Sequence, residues 1–360
     1  MRRIFFLLIL SYMLYACMEK NNLKTDVLSI PIEECISEGM KKEDVFINKL
    51  NASIIPLELT DSSILGDCYI VGNFNDKIII CDYQNVYAFH NVNGSFFSRV
   101  SHKGEGPEDY VGISDVSISS EDGSILILDN MGKKLNFYSI NDGKFVNSIS
   151  NDTVVSIQQL KDNRWLAYNS PLHSAKYDIC IYDKQWKLLR GICKRKGTAE
   201  HKGIISINDF LSSNGEAYSY TNDTIYHISE TGDITSFLYI AKGGLSIPDE
   251  IASDITQKSK RDSYIWGEQI CFSNKYCFLR YYYNRKIYFD IWNIHSKELC
   301  YRNIVQKPSD KMGLPIKVGN ETYFTWPKYV NNNTFYCITY SENEDKIEDN
   351  PIVLKFKILS

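Results

Sequence analysis

Three carboxylates fall close together in the stretch Lys103-Gly104-Glu105-Gly106-Pro107-Glu108-Asp109-Tyr110. Glu105, Glu108 and Asp109, set among glycines, form a donor set that could hold a cation or hydrogen-bond a sugar. The spacing is not that of a calcium loop, which alternates its oxygen ligands before a terminal glutamate. Turn chemistry gives the same residues a structural role: Gly104 and Gly106 permit a sharp reversal, and Pro107 stiffens its exit. The three carboxylates are the candidate binding residues, and their loop is expected to be a joint between structural units.

Other reactive side chains are dispersed. The six histidines, at 90, 102, 173, 201, 227 and 295, form no H-E-x-x-H pattern. No G-x-S-x-G elbow, phosphate-binding loop or dinucleotide fingerprint is present, so the sequence names no catalytic residue and no cofactor. Arg190, Lys194, Arg195, Lys196, His201 and Lys202 make a basic cluster that could meet an acidic glycan or lipid headgroups, or simply be a solvated loop. Tyr281, Tyr282, Tyr283, Trp292 and Trp326 could stack on sugar rings, although strand alternation buries about half of such side chains.

Ten cysteines are present, none in a C-x-x-C pair and none with a histidine pair at zinc spacing, so no metal site is expected. Most sit in apolar runs such as IIICDY, DICIYD and FYCITY, where a free thiol behaves as a small buried hydrophobe. An oxidising compartment would allow one or two disulfides, but mostly free thiols are expected.

The N-terminus is a targeting segment. Arg2 and Arg3 precede the apolar run Ile4 to Leu14, which is too short to span a bilayer as a helix. Leu14-Tyr15-Ala16-Cys17 resembles the lipobox of bacterial lipoproteins, which implies lipidation at Cys17 and removal of residues 1–16. That removal moves the formal charge from −4 to −6. An acidic body gives no electrostatic reason to bind nucleic acid, and acyl chains would hold it at a membrane without a basic patch. The resemblance implies a chain lipid-anchored in the bacterial cell envelope, at the outer membrane.

The elements that would position these groups are strands. Hydrophobic residues make up 44% of the chain and aromatics 13%, with 25 tyrosines and few prolines. From Gly104 to Ser150 four strand-like runs alternate with turns. Ser124 to Leu128 is apolar on both faces, as in a strand sandwiched between sheets, and Asn141-Asp142-Gly143 is a strong hairpin signal. Cys68 to Val100 repeats this unit, with Asp82 and Asp129 47 residues apart and Gly94 and Gly143 49 apart. Looser copies cover Val154 to Ile192, Ile205 to Ala241, Ile265 to Val305 and Ile316 to Leu359, the last with strands at Glu321 to Thr325, Thr334 to Tyr340 and Ile352 to Ile358. A four-stranded repeat of this length points to a β-propeller. Ser53 to Leu59 is the expected partner of the final strand, closing the ring. Ser246 to Arg261 reads as one helix inserted between the fourth and fifth units, with acids first and bases last.

The loop Lys103 to Tyr110, followed by ILILD and F-Y-x-x-x-D-G-K-F, resembles the six-bladed β-propeller lipoproteins of Gram-negative gut bacteria. The segment Phe237 to Ile251 also resembles a part of that family. The expected architecture is all-β: a six-bladed propeller of four-stranded antiparallel blades over residues 51–360. Before it stand a signal peptide at 1–16 and a lipidated tether at 17–50, and one short helix is inserted. Such a fold hosts binders and enzymes alike. The leading functional expectation is a non-catalytic binding or scaffold module for a glycan or envelope protein. The alternative is a hydrolase or lyase acting on carbohydrate or lactone at the channel mouth.

Overall fold

Strands Asp115–Ile118, Ser124–Asp129, Lys134–Ser139 and Phe145–Ser150 form one antiparallel meander, here blade II of six. Its second strand shows why the sequence must make a ring. Ile125 and Ile127 pack into the cluster shared with the preceding sheet, while Leu126 and Leu128 pack into the one shared with the following sheet. All four are fully buried, which a single sheet could not achieve. The computed structural model describes residues 27–39, 44–170, 175–194, 209–252, 255–307, 310–340 and 349–359.

Blade I comprises Tyr69–Phe74, Lys77–Cys81, Val86–His90 and Phe96–Val100. Blade III comprises Val154–Leu160, Arg164–Asn169, Tyr177–Tyr182 and Leu188–Lys194. Blade IV runs through Asp209–Ser213, Glu216–Thr221, Thr224–Ile228 and Ile234–Ile240. Blade V runs through Trp266–Phe272, Tyr276–Tyr283, Lys286–Asn293 and Glu298–Val305. Blade VI is assembled from both ends of the chain: Tyr329–Asn331, Thr334–Thr339, Ile352–Ile358 and, outermost, Leu50–Pro56. The closing pair runs in register from Leu50 opposite Ile358 to Pro56 opposite Ile352. Pro56 ends its strand on the edge, where a missing N–H costs no ladder bond. A hydrophobic cluster lies at each of the six blade interfaces.

The turns explain the sharpness of the repeat. Gly94 and Gly143 adopt φ of +73° and +69° in equivalent hairpins. A Cβ on Gly94 would stand 1.9 Å from the Pro56 carbonyl oxygen, and one on Gly143 would stand 2.3 Å from that of Arg99. Each hairpin therefore presses on the outer strand of the preceding blade, and only glycine fits. Asn222-Asp223, Asn284-Arg285 and Asn332-Asn333 all have positive φ at both positions, as in the primed turns that match strand twist.

Four features differ from the sequence expectation. The segment expected as tether is partly folded: Leu28–Ile30 pairs parallel with the outer strand of blade IV, and two single helical turns follow, Ile32–Cys35 and Asp44–Ile47. Ile30 and Ile32 are fully buried in the cluster between blades IV and V, which supplies the driving force. In place of the one helix expected at Ser246 to Arg261, the described residues hold a helical turn at Asp249–Ala252 and a 3-10 stretch, Ile255–Ser263, kinked at Gln257. The segment is rich in serine, threonine and aspartate, residue types of low helix propensity. Glu321–Thr325 belongs to a two-stranded hairpin with Leu314–Val318, not to blade VI, whose innermost strand is the three-residue Tyr329–Asn331. The closing strand begins at Leu50 and ends at Pro56, three residues earlier than read from the sequence. The signal peptide, Cys17 and the first part of the tether lie outside the described residues.

Candidate functional site at the channel mouth

The innermost strands of the six blades ring a central channel. At one end it widens into a cavity of about 450 Å³ open to solvent. Five blades contribute through their innermost strands or the residues just before them, and blade IV also through Tyr220 on its second strand. Blade II brings Ser114 and Asp115, and blade III brings Val155 and Ser156. Phe210, Leu211 and Tyr220 come from blade IV, and Glu268, Gln269 and Ile270 from blade V. Pro327 and Lys328 lead into blade VI. At the other end the ring is bridged across its width. The Asn333 N–H donates to Asn214 Oδ1 at 2.9 Å, and the Asn214 N–H donates to the Val330 carbonyl at 3.4 Å.

Beside the cavity lies a buried charge cluster. The Lys242 side chain is 3% exposed and stands two residues beyond the end of the outer strand of blade IV. Its Nζ lies 2.6 Å from Asp223 Oδ1 and also contacts Glu268 Oε1. The Tyr220 hydroxyl lies 3.4 Å from both carboxylates, and Ser246 Oγ donates to Asp223 Oδ2. Burial, then the charges of Glu268 and Asp223, push the Tyr220 phenol well above its ordinary range, so it stays a neutral donor. The primed turn at Asn222-Asp223 aims one carboxylate at the lysine. A bulge between Trp266 and Gln269, with Gly267 at φ +65°, sets the position of Glu268 on its strand. Across the mouth, Asp115 Oδ2 accepts from Ser156 Oγ and from the Ile157 N–H, both at 2.9 Å, tying blade II to blade III.

Next to the cavity, behind the residues that line it, blade V carries an aromatic pair. The Trp266 and Tyr282 rings stack at 4.6 Å and 18°. The Arg280 guanidinium lies 4.8 Å from the Tyr282 ring centroid and donates to its hydroxyl at 2.6 Å. Arg280 is the cross-strand partner of Gln269, which lines the cavity.

None of Glu105, Glu108 and Asp109 lines this cavity. Glu105 and Glu108 are exposed. Asp109 Oδ2 accepts from the Gly106 N–H at 3.0 Å inside the loop. The loop backbone is held to blade II: Tyr138 Oη donates to the Glu108 carbonyl at 2.7 Å, and Asn136 Nδ2 to that of Asp109 at 3.0 Å. Tyr110, fully buried, reaches back to the Gln84 carbonyl of blade I at 2.7 Å. Cβ atoms on Gly104 and Gly106 would stand 2.5 and 2.6 Å from Asp109 Oδ2. The loop is built as a joint between blades I and II.

The remaining sequence candidates are scattered. Tyr281 and Trp292 are fully buried on the side of blade V that faces blade IV, and Trp326 lies between Phe278 and Phe289 in the interface with blade VI. Arg190 binds the Thr231 carbonyl and Asp233 across the junction of blades III and IV, and Arg195 to Lys202 lie outside the described residues. The eight cysteines whose side chains are described are free. Burial raises the thiols of Cys68, Cys277 and Cys337 to about 12. Among the described residues no group of three or more acids, histidines or cysteines is placed to hold a metal ion. No helix among them is long and apolar enough to cross a membrane.

Sequence reading missed Tyr220, Asp223, Lys242, Glu268 and Arg280. They come from two blades and the connection between them, so no linear spacing links them. Only Glu268 lies on an innermost strand, where a polar residue is a signal; Tyr220 and Arg280 lie on second strands, Asp223 in a turn and Lys242 after an outer strand.

The chain is similar to two solved structures along nearly its whole length. A candidate exported protein of Bacteroides fragilis matches at 16% identity with a TM-score of 0.70, covering 93% of this chain and all of the other. A member of the DUF4221 family from Bacteroides vulgatus matches at 13% identity with a TM-score of 0.53, covering 86% of this chain and 99% of the other. At these identities the likeness is one of fold. No characterised protein matches in sequence. The match to a family model over residues 28–357 takes in the N-terminal strand and all six blades: the chain belongs to the DUF4934 family, a domain of unknown function.

Proposed function

We propose that this protein is an exported module of the cell envelope, lipid-anchored through Cys17, that binds a glycan or the glycan-bearing part of an envelope partner at the channel mouth. The observation that carries the reading is the composition of the cavity. Five blades bring it a lysine, two acids, an amide, a phenol and two serines alongside apolar walls, in a volume of about 450 Å³. That volume and mixture suit a small polar ligand held by a few convergent groups. The fold likeness to a candidate exported protein supports the envelope address, and the lipobox-like sequence supports the anchor.

A glycan array probed with residues 17–360 tests the binding role, with the double variant Gln269→Ala, Lys328→Ala as the control. Binding by the native chain and its loss in the variant are expected. No binding on the array, together with no partner in envelope pull-downs, contradicts the reading. Metabolic palmitate labelling that is lost in Cys17→Ser is expected for the anchor.

One observation favours the carbohydrate hydrolase or lyase reading: Lys242, Glu268 and Tyr220 converge beside the cavity, an arrangement that can move protons. Product release from an array-positive saccharide, abolished by Glu268→Gln, would establish that reading. Binding without turnover leaves the module non-catalytic.

A further inference from the structure

We propose that the ligand at the channel mouth is an acidic saccharide, and that Arg280 recognises its carboxylate while Trp266 and Tyr282 frame the sugar. The inference rests on the glycan-binding reading above and narrows it to one substrate class. Three charged side chains of blades IV and V and their connections are held by acids. Lys242 meets Asp223 and Glu268, Arg302 meets Asp290, and Arg285 meets Asp262. Arg280 is half-buried, yet it has no carboxylate within ion-pair distance among the described residues.

Its contacts are aromatic instead. The guanidinium stands 4.8 Å from the Tyr282 centroid and 6.0 Å from that of Phe289, with one donor used on Tyr282 Oη. A guanidinium has five donors in a rigid fork that fits a carboxylate through two parallel bonds. Its hydrogen bond to the Tyr282 hydroxyl and its contact with that ring restrict the orientation of the fork. Removing such a cation part-way from water with no acid to meet it is costly. A site that keeps it is equipped for an anion that arrives from outside.

The neighbours fix the class of anion. Trp266 and Tyr282, stacked at 4.6 Å, present flat rings of the kind that pack on pyranose faces. Gln269, opposite Arg280 on the adjoining strand, supplies an amide at the cavity wall, and Lys328 stands exposed at its lip. The acids at the mouth are already engaged: Glu268 by Lys242, and Asp115 by Ser156 and the Ile157 N–H. They therefore leave the side formed by blades V and VI cationic. A sugar ring bearing a carboxylate satisfies the fork and the aromatic pair together.

The test is titration calorimetry on the full mature chain with three probes: trigalacturonate, its neutral methyl ester, and a sulfated galactan trisaccharide. Native protein should bind the free acid at least about tenfold more tightly than the ester, the loss expected when a charge-assisted forked contact is removed. Arg280→Gln should erase that preference, while Arg280→Lys should keep part of it, since a point charge remains without the fork. Equal affinity for acid and ester, or a preference that survives Arg280→Gln, overturns this assignment and leaves the glycan-binding reading standing. A preference for the sulfated probe overturns the carboxylate assignment in favour of a sulfate ester. Failure of every saccharide overturns the acidic-saccharide assignment, and the glycan array decides the broader reading. Should Arg280→Gln not fold, the acid-to-ester ratio of the native chain and its reduction in Lys328→Gln decide the matter.

Discussion

Arg302 shows how a single side chain fixes a long-range arrangement here. It is fully buried and pairs through two bonds with Asp290, at 2.7 Å from Nε and 2.6 Å from Nη2. Burial raises the Asp290 carboxyl, and the hydrogen bond and charge of the Arg302 guanidinium oppose that shift. The remaining Nη1 donor reaches the carbonyls of Cys35 at 2.6 Å and Glu38 at 3.2 Å, at the end of the first helical turn. The carboxylate of Glu33, in the same turn, accepts from the Gly244 N–H at 2.8 Å. Arg302 therefore holds blade V together and clasps the N-terminal segment to it. Arg302→Met should cost about 3–5 kcal/mol, because Asp290 is left charged and unpaired in the interior. It should also expose residues 27–39 to limited proteolysis at temperatures where the native chain resists. The double variant Arg302→Met, Asp290→Leu should recover much of the stability but not the protease resistance of that segment. Recovery of both would mean that the clasp owes nothing to Arg302.

Among the elements, the hairpins between the outer two strands determine how tightly blades abut. Gly143 combines a positive φ with a carbonyl oxygen where its Cβ would go, so Gly143→Ala should destabilise by on the order of 2–4 kcal/mol. Gly66 has open space around its missing Cβ and no positive φ, so Gly66→Ala should stay within about 0.5 kcal/mol. Chemical denaturation of both variants checks the contrast, and equal effects would contradict it. This is also where the sequence was most legible. Asp-Gly and Asn-Gly turns, and the strand Ser124 to Leu128 with apolar residues on both faces, each had one physical solution. Elements shaped by tertiary contact were not legible. The strand Leu28–Ile30 is too short and too polar in its surroundings to stand out, and only the parallel ladder of blade IV makes it a strand. The short inner strand Tyr329–Asn331 was hidden behind the longer hairpin that precedes it. The segment after blade IV shows charge order without the propensity to sustain one helix.

At the scale of the molecule, the ring is held shut by the antiparallel pairing of Leu50–Pro56 with Ile352–Ile358. Deleting residues 17–56 should remove that pairing, bare the edge of blade VI and replace a single cooperative melt with a broad, early one. A supplied peptide spanning residues 47–59 should restore part of the cooperativity, and an unchanged melt on deletion would contradict closure by this strand. Closure is also what creates the site. Asp115, Tyr220, Glu268 and Lys328 are far apart in the chain and line one cavity only because the blades converge, so sequence reading could expect a channel mouth without naming its residues. The central claim is that this mouth takes the ligand. Hydrogen–deuterium exchange of the mature chain, with and without a saturating array-positive saccharide, tests it most directly. Protection is predicted at Trp266–Ile270, Phe210–Leu211 and Pro327–Lys328. Protection confined to the loop Lys103–Tyr110 or to the outer strand Leu188–Lys194, with the mouth unchanged, would contradict it.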